Sequence, residues 1–107
     1  MTKIKLGTTA LDLTYADDEL REKILNYVYA HDDGVGFRDI CAYILSQAQS
    51  EGRIYGPKDE VYQWESLSHM DVMRVDRILW QLIWKHRLVI DFDNSHYPTQ
   101  DIYFLRA

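Results

Sequence analysis

A single cysteine, Cys41, rules out an internal disulfide in this 107-residue chain, so packing and hydrogen bonding must hold the fold. The same scarcity suits a reducing compartment, and a cytoplasmic location is the expectation. No apolar run approaches the ~18 residues a membrane-spanning helix needs. Met1-Thr2-Lys3-Ile4-Lys5-Leu6 lacks the apolar core and small-residue cleavage site of a signal peptide. With two prolines and five glycines there is no linker and no low-complexity tract, so one domain over residues 1–107 is expected.

Catalytic motifs are also missing. His31, His69, His86 and His96 show no metal-ligand spacing with one another or with Cys41. Asp91-Phe92-Asp93-Asn94-Ser95 begins like a calcium loop, but His96 stands where glycine is needed and Ile102 where the closing glutamate belongs. Gly34-Val35-Gly36 starts a dinucleotide fingerprint that Asp39 breaks. There is no phosphate-binding loop and no nucleophile elbow. Cys41 lies within an apolar helical stripe, the setting of a structural thiol rather than a nucleophile. The expectation is a non-enzymatic protein without metal or cofactor.

What the chain does have is a globular composition, 47% hydrophobic and 13% aromatic, with a net charge of −5. The charge is unevenly divided. Residues 16–33 hold six acids and two bases, whereas residues 70–88 hold four bases (Arg74, Arg77, Lys85, Arg87) and two acids (Asp71, Asp76). The positive charge thus gathers on one segment of an acidic molecule.

Pattern along the chain predicts α+β. Residues 1–15 alternate as an extended arm or a hairpin turning at Gly7-Thr8-Thr9. A first helix starts near Asp17, where Asp17, Asp18 and Glu19 complement the helix dipole. Phe37, Ile40, Cys41, Ile44, Leu45 and Ala48 form the clearest helical stripe, stopped by Gly52. Pro57 is placed to start a short helix through Val61 and Trp64. A third helix spans residues 68–86, opened by Ser68 with Asp71 three residues on. Leu88–Phe92 and Asp101–Leu105 read as two strands joined by a turn at Asn94–Thr99, a terminal hairpin over residues 88–107.

Three helices (residues 16–87) followed by a hairpin resemble the winged helix-turn-helix superfamily. The Phe37–Ala48 stripe, the Val72–Trp84 helix and the two terminal strands carry the likeness. It implies a third helix lying in the DNA major groove and a hairpin wing touching the backbone, as in a small transcriptional regulator acting as a dimer. Two features depart from the pattern: residues 53–67 far exceed the usual helix-turn-helix turn, and the wing is poor in bases.

Two readings of the third helix stay open. At about 100° per residue, Arg74, Arg77, Gln81 and Lys85 share one stripe with Ile78 among them, while Val72, Val75, Leu79, Leu82 and Ile83 face the core. Arg74, Arg77 and Gln81 are then suited to base edges, and Lys85 and Arg87 to phosphates. Against DNA, the wing carries Asp91, Asp93 and Asp101. The alternative is an acidic protein–protein interaction module (adaptor, complex subunit or inhibitor) using Met70, Met73, Trp80 and Trp84, residue types enriched at interface cores. For Trp80 and Trp84, packing against the domain's own core is the first expectation and an interface the second.

Overall fold

The computed structural model describes residues 3–55, 60–93 and 102–107. In chain order these form β1 (Lys3–Leu13), α1 (Asp17–Tyr29), β2 (Val35–Gly36), α2 (Phe37–Glu51), β3 (Ile54–Tyr55), β4 (Glu60–Leu67), α3 (His69–Trp84), β5 (Leu88–Ile90) and β6 (Tyr103–Arg106). The fold is α+β, with three helices and a small antiparallel sheet ordered β2-β6-β5. The predicted terminal hairpin is β5 with β6, registered Leu88↔Arg106 and Ile90↔Phe104. Its turn, with His96 and Asp101, lies outside the described residues. The third strand, β2, pairs Val35↔Phe104 and Gly36↔Tyr103; two residues leave no alternation to read.

The helix boundaries have local causes. At α1, Glu19 Oε1 accepts the Ala16 backbone N–H at 3.2 Å. Gly52 ends α2 in the left-handed region at φ 68°, where glycine has no Cβ penalty. Ser68 Oγ accepts the Asp71 N–H at 3.3 Å and so caps α3. The third helix closes at Trp84, short of the expected His86, because His86 itself turns to φ 60°.

Residues 53–67 differ from expectation. Where they are described, the Pro57–Trp64 helix is absent and strands take its place, β3 antiparallel and β4 parallel to β1; residues 56–59 lie outside the described residues. An 11-residue β1 presents backbone donors and acceptors that require partners, and β4 satisfies them from Lys3↔Glu60 to Leu11↔Leu67. A parallel neighbour needs a long crossover, which the α1–β3 stretch supplies. The N-terminal segment is therefore one strand rather than a hairpin; Gly7-Thr8-Thr9 coincides with a register shift between Lys5 and Thr8.

Leu20, Ile24 and Val28 of α1, Ile40 and Ile44 of α2, and Val75, Leu79 and Leu82 of α3 form the core, closed by Leu88 and Phe104 of the small sheet. Ile78, assigned by spacing to the arginine stripe, is 1% exposed and belongs to this core. Gly34, with φ +91°, sits where an added Cβ would lie 3.1 Å from Leu105 Cδ2 and 3.3 Å from Asp91 Oδ2; beside Gly52 nothing lies within 4 Å. Gly34→Ala should therefore destabilise the domain by roughly 2–3 kcal/mol, against about 1 kcal/mol for Gly52→Ala. Urea midpoints compare the two; equal losses would mean that the Leu105 and Asp91 contacts carry no weight.

Candidate functional site

The core takes α3 by Val75, Ile78, Leu79 and Leu82. At helical spacing, Met70, Met73, Arg77, Trp80 and Trp84 project from the opposite side. Their exposure is high for such large apolar groups: Met70 72%, Met73 56%, Trp80 47% and Trp84 85%. Packing of Trp80 and Trp84 into the domain's own core is thus overturned. That side is already filled by four aliphatic residues, leaving the tryptophans to water. The steps from 70 to 73, 77, 80 and 84 alternate three and four residues, the spacing of a seam that packs against another helix. An open cleft of about 430 Å³ follows the C-terminal half of this face, lined by Arg77, Trp80, Gln81, Trp84 and Lys85.

The basic stripe expected to read DNA is not one free surface. Arg74 is held inside the molecule: Nη2 donates to the Tyr15 carbonyl at 2.7 Å and to Asp17 Oδ1 at 2.9 Å, Nη1 to Asp71 Oδ1 at 2.9 Å, and Nε to Asp17 Oδ1 at 3.1 Å. Burial alone would lower its pKa, but the hydrogen bonds and charges of Asp17 and Asp71 raise it above the ordinary guanidinium value. Reciprocally, the hydrogen bond from Arg74 holds the Asp17 carboxyl below its usual range, with help from the Arg74, Arg77 and Arg21 charges.

Among the described residues Arg77 makes a single hydrogen bond, from Nη2 to Asp17 Oδ2 at 3.3 Å, and its side chain is 58% exposed. Gln81 and Lys85 are exposed. Arg87 lies beyond the helix end, where its Nε donates to the Tyr29 hydroxyl at 3.2 Å. Arg77, Gln81 and Lys85 therefore share the cleft, whereas Arg74 and Arg87 are engaged elsewhere. Asp91 is also buried, at 7%, so this wing carboxylate is not presented to a ligand.

Asp71 explains why Arg74 is captured. It is 4% exposed and accepts the Leu13 backbone N–H at 2.7 Å and the Ser68 hydroxyl at 3.2 Å. One carboxylate thus stitches β1, the α3 cap and Arg74 together. The Asp71-x-x-Arg74 spacing was visible in the sequence; the approach of Asp17 from α1 was not.

A second polar cluster closes the junction of α1 and the end of α2. The buried Tyr15 hydroxyl donates to Glu51, which also pairs with Lys23 at 3.1 Å. Arg53 grips Glu19 with both terminal nitrogens at 3.0 Å and lies 4.7 Å from the Tyr15 ring centroid. Burial, followed by the Glu51 hydrogen bond and charge, raises the Tyr15 pKa; Glu51 is lowered by the Tyr15 and Lys23 hydrogen bonds. Opposite charges here neutralise one another and serve packing.

Burial also pushes the Cys41 thiol up to about 11, away from thiolate chemistry at neutral pH. Among the described residues, no group of three His, Cys, Asp or Glu side chains converges as a metal ion would require, and no helix is long and apolar enough to cross a membrane. No family model, curated protein or solved structure matches this chain, so the outward face of α3 is the candidate site on the strength of its own residues.

Proposed function

We propose that this protein is a non-catalytic, cytoplasmic, winged-helix-like interaction module that uses the outward face of α3 to bind another protein. One observation carries the proposal: two tryptophans and two methionines stand exposed in a single helical seam, on the side of α3 away from the core. A free contiguous apolar surface of this kind marks an interaction site, and tryptophan, methionine and arginine are the residues that dominate interface energetics. With β1, β3 and β4 set apart as a second sheet, the remaining elements run helix, short strand, helix, helix and hairpin, with the short strand and the hairpin in one three-stranded sheet, an order that supports the winged-helix reading. In that superfamily the corresponding helix is the usual contact element.

Duplex DNA is the second reading, favoured by the presence of Arg77, Gln81 and Lys85 along the cleft. It has less to work with. Arg74 would have to abandon four hydrogen bonds to reach a base, and Asp17 sets a carboxylate against Arg74 and Arg77 in a chain of net charge −5. Anisotropy of a labelled random duplex, titrated from low to physiological salt, is expected to show no binding in the micromolar range. Micromolar binding with a log–log salt slope of several counterions would replace the protein-binding reading with the DNA reading.

A further inference from the structure

We infer that the partner of the α3 face is a second copy of this chain, packed through an antiparallel α3–α3 pair; this rests on the protein-binding reading above. The seam is self-complementary in that orientation. A single antiparallel register brings Arg77 over Trp80 of the second copy and Met73 against Trp84 of the second copy. Each contact occurs twice, as a two-fold axis requires. Both are favourable chemistries, a cation over an indole face and a thioether against an aromatic ring.

Arg77 is suited to the role because its only ion pair among the described residues is the 3.3 Å contact with Asp17, made by an exposed side chain. It can turn toward a facing ring without disturbing the buried Arg74–Asp71 pair. The three-four spacing of Met70, Met73, Arg77, Trp80 and Trp84 matches the seam by which one helix packs against another.

Charge is arranged to match. The acidic start of α1 lies beside the N-terminal half of α3, fixed there by the Asp17 contacts to Arg74 and Arg77. Asp18, next in sequence, has a side chain 93% exposed and pairs with Arg21 of its own helix at 3.0 Å, an exposed contact that leaves it open to a facing cation. Lys85 lies at the opposite end of α3 and is also exposed. Antiparallel pairing carries Lys85 of each copy toward the Asp17–Asp18 end of the other and opposes the two helix dipoles. A parallel pair would set like charges side by side.

The area is adequate. At about 150–250 Å² for a large side chain and the 47–85% exposures of these four residues, covering them on both copies removes about 1,000 Å² in total, the lower limit of a specific interface.

Sedimentation of the purified full chain over a hundredfold range spanning the micromolar region tests this. The expected result is a concentration-dependent dimer whose dissociation constant rises more than about 30-fold in Trp84→Ala. That variant keeps its fold because the side chain is exposed. Lys85→Glu and Asp18→Lys should each weaken self-association, while an equimolar mixture of the two variants should dimerise again, since both cross-copy pairs then regain opposite charge. A dimer indifferent to Trp84→Ala, or a mixture no tighter than its components, would overturn the α3–α3 arrangement. A monomer at every concentration would overturn self-pairing. If a photo-crosslinker in the cleft then captures a different polypeptide in cells, the protein-binding reading stands; if it captures nucleic acid, that reading falls as well.

Discussion

Arg74→Ala is expected to destabilise the domain by about 3 kcal/mol, the usual cost of removing one partner from a largely buried charge pair. For a domain of this size that lowers the melting temperature by roughly 15 °C. Arg77→Ala, three residues away on the same helix, should cost no more than about 0.5 kcal/mol, as a solvent-exposed ion pair does. The contrast follows from position. Arg74 joins Asp71, Asp17 and the Tyr15 carbonyl in one network, whereas Arg77 adds one long contact to Asp17. Asp71 is 4% exposed in the intact domain; loss of Arg74 removes its charge partner and leaves it the Leu13 and Ser68 hydrogen bonds.

Acid should narrow the difference. The Asp17 carboxyl is held below its usual value by Arg74, so its contribution is fully present above the unfolded-state pKa near 4 and fades as pH falls through the lower folded value. The gap between wild type and Arg74→Ala should be constant from about pH 7 to 5 and shrink below about pH 4. Denaturant titrations at several pH values measure it. Equal destabilisation by Arg74→Ala and Arg77→Ala would show that Arg74 is not the structural member of the pair.

The second large effect separates binding from folding. Replacing Trp80 and Trp84 together by alanine should weaken partner binding by more than about a hundredfold, since anchors of this type each contribute on the order of 2 kcal/mol or more. The same change should leave the domain folded: Trp84→Ala should shift the unfolding free energy by no more than about 0.5 kcal/mol, and Trp80→Ala should add about 1–2 kcal/mol for the covered half of its indole. Trp84, 85% exposed, has almost no intramolecular packing to lose. Trp80, 47% exposed, keeps its inner edge against the domain and is the one that should show any residual cost. A double variant that unfolds would return both indoles to the role of core residues.

The sequence was most informative where neighbours along the chain decide the structure. The Phe37–Ala48 stripe became α2, with Ile40, Ile44 and Ala48 fully buried, because a 3.6-residue period is recorded locally. Gly52 and Ser68 ended and began helices as their conformational and capping chemistry dictates. The errors lie where distant segments decide. No local signal shows that β4 will pair in parallel with β1, so residues 53–67 read as turn and helix. Likewise, the capture of Arg74 by Asp17 spans 57 positions.

On the third helix the core side was legible, with Val75, Leu79 and Leu82 buried as their spacing indicates, whereas Ile78 and the two tryptophans were misassigned. Periodicity shows a second apolar arc but not whether another element covers it. Val75, Ile78, Leu79 and Leu82 met the core, and the heavier tryptophans, by size the better core candidates, were left outside. That inversion of size and burial is what makes the outer arc a candidate site.

The central claim is that this arc binds protein, and a photo-crosslinking amino acid at Gln81, which lines the cleft between Arg77 and Lys85, tests it most directly. Irradiation in cells should yield a discrete polypeptide adduct that disappears in the Trp80→Ala, Trp84→Ala background. An adduct to nucleic acid, or a polypeptide adduct unchanged by loss of both tryptophans, would contradict the account.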